Sequence, residues 1–438
     1  MSNNKAKINK ELFIPVVNNI RSKRYDEALS LLDQLLNENQ DKNIIHKLKA
    51  SVYLKKKEWK KSLTCYEKIE NGENNHEITN NIGVALYNLG KLSEASNKFK
   101  ASINLNNSYL PAFENLVLAY ELLGKYELCL KFINQALKID PHNKKIIKSL
   151  VDIFNYYDPE EKKNSIVNTN YEISKLNSII KKNKIIENSL LKNIFEKSEE
   201  ILKVNNIKFG YPQTQILKMN TKDLNCKRHL NIFSTRKIIS KFCFSCYKVQ
   251  ITLECILDLL KLYFYLNNLY LKENNIRKCV IELRKNVSGN YKGYIFTRST
   301  KESEEIIKLL KNDSIDKEIN IEKIEIKHGC TEYYEEYPLF KKTDRDMTNE
   351  IYQDKWTDIE KEFDEKNLIK EISEEKIINK TINKFNLPDY LIIKNWLIYA
   401  KTIGDLSYQK VFKSEVQDNK LSGSQKKLIS QRKMNSLN

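Results

Sequence analysis

A small side chain returns through the first third of this chain at intervals of 34, 33 and 34 residues: Ala28, Ser62, Ala95 and Cys129. Each closes a similar hexapeptide, namely Lys23-Arg-Tyr-Asp-Glu-Ala28, Lys57-Glu-Trp-Lys-Lys-Ser62, Gly90-Lys-Leu-Ser-Glu-Ala95 and Gly124-Lys-Tyr-Glu-Leu-Cys129. A fixed step of this size specifies a stack of like units, each burying its apolar face against its neighbours, rather than one mixed core. Small residues belong where the two helices of a unit touch, because a large side chain would push the pair apart. Cys129, and Cys65 in an earlier unit, are therefore expected to be packing residues; buried structural thiols are inert.

The rest of the pattern resembles the tetratricopeptide repeat family over residues 10–142. Gly83, Gly90, Ala95 and Phe99 fit one repeat, and Phe113, Leu116, Tyr120, Gly124, Ala136 and Pro141 fit the next. The resemblance implies an all-α solenoid with a concave groove, lined by the first helix of each repeat, in which a protein partner lies. Carried onto this chain, the groove positions are Asn80, Val84, Tyr87, Glu114, Leu118 and Glu121. The family's clamp on a chaperone's terminal carboxylate uses Lys, Asn and Arg at some of these positions. This chain mostly lacks them, so a chaperone tail is not the expected partner. Lys144–Tyr157 reads as a capping helix, stopped by Asp158-Pro159, and the repeat domain is taken as residues 10–157.

At 438 residues there is room for a second core. Residues 158–212 read as a helical bridge, broken at Phe209-Gly-Tyr-Pro212. From Phe244 the periodicity changes: strand 244–251, helix 252–272, strand 279–285, strand 291–298, helix 301–311 and strand 321–327, with Ser288-Gly289-Asn290 as a hairpin turn. This β-α-β-β-α-β order resembles the ferredoxin-like fold, which implies an antiparallel sheet of order 4-1-3-2 over a domain at residues 213–345. Residues 346–415 read as further helices, interrupted at Leu387-Pro388, and residues 416–438 as a disordered basic tail. The fold class expected is thus α+β: the helical solenoid, the ferredoxin-like domain, then C-terminal helices.

Strand order makes a prediction about thiols. Cys243 and Cys246 start the first strand of that domain, Cys279 starts the second and Cys330 follows the fourth. A common sheet edge would gather all four into one metal site, zinc or an iron-sulfur cluster, because thiolate is the preferred ligand of both and Cys-x-x-Cys chelates one centre. Two alternatives stay open, a redox dithiol and ordinary packing of buried Cys. A rival ligand set, Cys226-Lys-Arg-His229 followed by Cys243-Phe-Ser-Cys246, has the pairing of a small zinc finger. Glu282, Arg284, Arg298, Glu332 and Tyr333 are placed to line the same edge. The Cys-rich half also resembles uncharacterised bacterial domains joined to such repeats, from which no activity carries over.

The net charge of +18 is spread through a chain rich in Lys and is weak evidence by itself. Its distribution says more: residues 206–250 hold nine Lys and Arg against one acid, Asp223, whereas residues 344–376 are rich in Asp and Glu. A single-stranded nucleic-acid binder would use Arg228, Arg236, Lys237, Lys241 and Lys248 with Phe209, Tyr211, Phe233, Phe242 and Phe244. This reading is less favoured than solvated charge. No Walker loop, nucleophile elbow, dinucleotide loop or His-Glu-x-x-His helix is present, so whether any reaction is run stays open. No run of eighteen apolar residues appears and the first twenty lack a secretory pattern, which gives a cytoplasmic location without membrane insertion as the expectation. The function expected is a scaffold: repeats that hold a protein partner, attached to a Cys-rich metal-binding domain. An iron-sulfur or thiol redox enzyme is the alternative, and the nucleic-acid binder a second one.

Overall fold

The computed structural model describes residues 10–430 apart from 39, 163, 182–185, 219–223, 274, 285–286, 342, 344–351, 368–383, 413–422 and 424–425. Its contacts divide the chain into two compact units, with a boundary between Leu150 and Val151, and no helix among the described residues is long and apolar enough to cross a membrane.

The first unit is built from helix pairs: α1 (Ile14–Arg21) with α2 (Tyr25–Asn37), α3 (Lys42–Lys55) with α4 (Trp59–Tyr66), α5 (His76–Asn88) with α6 (Leu92–Leu105), and α7 (Leu110–Leu122) with α8 (Tyr126–Ile139), closed by the start of α9 (Lys144–Ile153). The period read from the small residues is the contact inside each pair. Ala28, Ser62, Ala95 and Cys129 are buried on the second helices, and the residues twelve positions earlier, Val16, Ala50, Gly83 and Val117, are buried on the first. The Ser62 hydroxyl donates to the Ala50 carbonyl oxygen at 2.9 Å, and Cys129 Sγ meets the Val117 carbonyl oxygen at 3.6 Å in the equivalent place.

The turns share the same step. Lys23, Lys57, Gly90 and Gly124 all adopt the left-handed conformation, with φ of 60, 61, 79 and 68°. In every case the next residue's N–H closes back on the last helical turn: Arg24 to Asn19, Glu58 to Tyr53, Lys91 to Leu86 and Lys125 to Tyr120. This is the Schellman closure that satisfies orphan carbonyls at a helix end. Asp41 and Asn75 cap α3 and α5 by accepting from N–H groups of the first turn.

The second unit contains α10 (Ser165–Lys175), α11 (Asn177–Ile180), α12 (Asn188–Val204), β1 (Gln215–Lys218), α13 (Cys226–Arg236), β2 (Tyr247–Leu253), α14 (Ile256–Asn268), β3 (Arg277–Ile281), β4 (Tyr291–Thr297), α15 (Thr300–Asn312), β5 (Ile321–His328), α16 (Lys355–Asn367) and α17 (Leu387–Ile403). The sheet runs β1-β3-β4-β2-β5, with every neighbouring pair antiparallel. One face carries Val249, Ile251, Leu253, Tyr291 and Ile295 against the helices. Gly293 lies so close to α14 that a Cβ there would clash with Leu262 Cδ2. The other face carries Lys248, Gln250, Thr252, Lys278, Glu282, Lys292 and Tyr294, as strand alternation requires.

Strand β1 was not expected from the sequence. Four residues are too short for a periodic signal, and tertiary bonds hold the segment that leads into them: α17 donates from Trp396 Nε1 to the Thr214 carbonyl at 2.8 Å and from Asn395 to the Tyr211 and Gln213 carbonyls at 2.6 and 2.7 Å. Leu387-Pro388 starts α17 instead of interrupting a helix, with Asn386 and Asp389 forming a capping box. The expected bridge belongs to the second core, since Asn177 exchanges two hydrogen bonds with the Phe385 backbone and Asn170 accepts from Leu387 N. The tail expected at residues 416–438 lies mostly outside the described residues, as does Leu368.

A candidate thiol cluster and the repeat surface

Cys243 sits in a short 3-10 turn, Lys241–Ser245, between α13 and β2, not at the start of a strand. That turn tucks its thiol into an aromatic sub-core with Ile232, Ile238, Ile239, Tyr333, Phe340 and Trp356, and Cys330 packs against the same cluster. Cys243 Sγ lies 3.4 Å from the Tyr333 hydroxyl. The neighbouring Cys330 thiol and burial push Cys243 up, and Cys243 holds Cys330 below the ordinary thiol value. Cys246 is buried beside them; Gly329 N donates to its carbonyl oxygen at 2.8 Å, and a Cβ at Gly329 would meet the Cys246 sulfur at 2.5 Å. Burial pushes the Cys246 thiol up to about 12. Lys248, pushed down to about 8 by burial, donates to the Gly329 carbonyl at 2.9 Å.

Cys279 does not join the other three. The expectation assumed that strand starts align, but β3 pairs Cys279 with Gly293, and Gly293 pairs with Ile251. Cys279 therefore stands level with Ile251, five residues beyond Cys246. That offset amounts to about 16 Å along the strands, with two strand spacings, about 10 Å, across them. Its thiol is buried on the helix-covered face, where desolvation raises it. Among the described residues no group of three or more His, Cys, Asp or Glu side chains is disposed to hold a metal ion. The donors present do not fit a four-thiolate zinc or iron-sulfur centre. The rival set fits no better: His229 is buried with its ring stacked on Phe242 at 5.1 Å, and its pKa is lowered by burial and then by Arg228. His328 ends β5 and is sandwiched between Tyr247 and Phe340.

The basic stretch is paired from within. Arg228 makes a bidentate contact to Asp364 at 2.6 and 2.7 Å and reaches Glu360 at 2.9 Å. Arg236 meets Glu362, Lys237 meets Glu336, and the Lys241 N–H donates to Glu360. Phe233 packs on Tyr333, Phe244 on Phe340, and Tyr211 is buried with its hydroxyl on Asp152. The sequence showed an acidic run and a basic run; helix α16 brings them together by burying Trp356 and Phe363 in the sub-core, which aims Glu360 and Asp364 at Arg228. This arrangement speaks against the nucleic-acid reading of the stretch.

On the repeats, Asn80 is buried and accepts from Asn115 Nδ2 at 3.0 Å, so it ties α5 to α7 instead of facing a ligand. Glu114 is held by Asn143 at 3.2 Å and Lys145 at 2.7 Å. Val84 and Tyr87 are half-buried, Glu121 lies beside Tyr87, and Leu118 is 41% exposed.

Solved structures similar to about a third of the chain or less include three proteins. The second TPR domain of human RPAP3, in complex with an HSP70 peptide, is 24% identical and covers 26% of this chain and 94% of that one, with a TM-score of 0.25. MamA is 15% identical and covers 32% and 82%, with a TM-score of 0.30. YrrB, a TPR protein with an unusual peptide-binding site, is 21% identical and covers 31% and 71%, with a TM-score of 0.29. No protein-family model matches the chain, and no curated protein matches it. The first unit by itself has the helix pairing, the step and the small-residue contacts of tetratricopeptide repeats.

Proposed function

We propose that the protein is an interaction scaffold whose repeats hold a segment of a protein partner against α5 and α7. The observation that carries this reading is the strip formed by Val84, Tyr87 and Leu118, apolar and partly exposed on the first helices of two successive pairs. Partly exposed aromatic and aliphatic anchors on a rigid surface are what a partner side chain desolvates on binding. Asn80 and Glu114, already engaged within the array, shape the strip and do not contact the partner. The second unit is read as a ferredoxin-like domain extended by an edge strand, supported by the order β2-α14-β3-β4-α15-β5 and by the place of β1 beside β3. Eight free cysteines suit a reducing, cytoplasmic compartment.

Affinity capture from a lysate of the source organism, with the full chain as bait, tests the scaffold reading. Proteins retained by the native chain and lost with both Tyr87→Ala and Leu118→Ala, at unchanged circular dichroism, are the expected result. Equal retention by all three baits would overturn it.

A further inference from the structure

We infer that Cys330 and Cys243 form a peroxide-reactive thiol pair, with Cys330 as the attacking sulfur, Cys243 as the resolving one, and a hydroperoxide as the substrate class. Three features of the cluster lead there. The two thiols share one aromatic sub-core although 87 residues separate them: Cys330 packs against the cluster that contains Cys243. Their accessibility is unequal: Cys330 is partly buried just after β5, whereas Cys243 is 4% exposed. Cys246, the partner that a Cys-x-x-Cys pair would suggest, is pinned under Gly329 and buried.

The surroundings supply what such a pair requires. A sulfur that reacts with peroxide must be available as thiolate, be reachable and have a second thiol close by. Cys243, with Lys248 and Tyr333, keeps the Cys330 thiol below its ordinary value against burial and the Glu332 carboxylate. The Tyr333 hydroxyl lies 3.4 Å from the Cys243 sulfur in the same sub-core. Cys226, the exposed cysteine on α13, provides an internal comparison for simple accessibility.

The chemistry balances with the hydroperoxide as oxidant. The Cys330 thiolate attacks one peroxide oxygen; the S–O bond forms, the O–O bond breaks, and the alcohol or water leaves with a proton. The Cys243 sulfur then attacks the sulfenic acid on Cys330; the S–S bond forms, the S–O bond breaks, and water leaves. Two thiols give up two electrons, and the peroxide is reduced.

The test uses the full, reduced chain treated with less than one equivalent of hydrogen peroxide, quenched by alkylation and mapped by peptide mass spectrometry. A Cys243–Cys330 linked peptide appearing before any other cysteine is oxidised is the expected result. In Cys243→Ser the oxidation should stop at a sulfenic acid on Cys330, trapped by dimedone, and Cys330→Ser should remove the fast phase of peroxide consumption. A Cys243–Cys246 link, or oxidation of Cys226 at or before the rate of Cys330, would overturn the proposal. The native chain decides this alone should a variant fail to fold.

Discussion

Gly83 on α5 lies flat against the ring of Phe99 on α6: a Cβ at Gly83 would meet Phe99 Cε1 at 2.5 Å and Cδ1 at 2.7 Å. Phe99 is itself 1% exposed, so the ring has nowhere to go. Helix propensity favours Ala over Gly by about 1 kcal/mol in a helix interior. Overpacking of a tight contact costs about 1–3 kcal/mol. Gly83→Ala should therefore lower stability despite the better propensity, and Ala95→Leu, one turn from Phe99, should lower it more. Urea unfolding followed at far-ultraviolet wavelengths reads both. A neutral Ala95→Leu would mean that the 34-residue register is wrong.

The left-handed turns give a prediction of opposite sign. Lys57 holds a conformation that costs an L residue about 1–2 kcal/mol. Glycine removes that strain but returns part of the gain through a more flexible unfolded chain. Lys57→Gly should raise stability by about 0.5–1 kcal/mol, and Gly124→Ala, at the equivalent place, should lower it by a similar amount. Thermal midpoints of the two variants moving in the same direction would refute this account.

Lys218 and Asp389 form an ion pair at 2.5 Å with side-chain exposures of 4% and 2%. Burial lowers the Lys218 pKa and Asp389 works against it. Asp389→Ala should cost about 3–5 kcal/mol, because it strands a buried charge. Lys218→Met combined with Asp389→Leu should recover most of that loss, less about 1 kcal/mol for the cap that Asp389 completes on α17. A denaturant double-mutant cycle checks the sign.

Glu282 should contribute to acid sensitivity. Burial by itself would raise its carboxyl, but Arg284 and Lys292, at 2.8 and 3.1 Å, hold it down to about 2 from an ordinary 4.5. A depressed folded-state value means that the unfolded chain binds the proton first, so this contribution is present above pH 4.5 and is lost as pH falls toward 2. Its size is on the order of 3 kcal/mol. Glu282→Gln should flatten the stability profile in that window, and a curve parallel to the native one would argue against it.

The sequence by itself determined the repeat array, because the information there is local and repeated. Each small residue at its step of 33 or 34 meets a partner twelve positions earlier, so one short window specifies each pair and the period specifies the stack. It also determined the order of strands and helices from β2 to β5, though not β1 or α13, since alternation in β2 and the apolar face of α14 are properties of single segments. Tertiary structure decided everything that depends on register. The stagger between β2 and β3 separates Cys279 from the other thiols, and no residue in either strand announces that offset. The 3-10 turn at Lys241–Ser245 brings Cys243 to Cys330 through packing of Tyr333, Phe340 and Trp356, side chains up to 113 residues away. Asn80 and Glu114 occupy the positions that the repeat pattern assigns to a ligand, yet Asn115 and Lys145 engage them first. Charge followed the same rule: the basic run and the acidic run were each visible, but only the burial of Trp356 and Phe363 sets α16 in the place where its carboxylates neutralise Arg228.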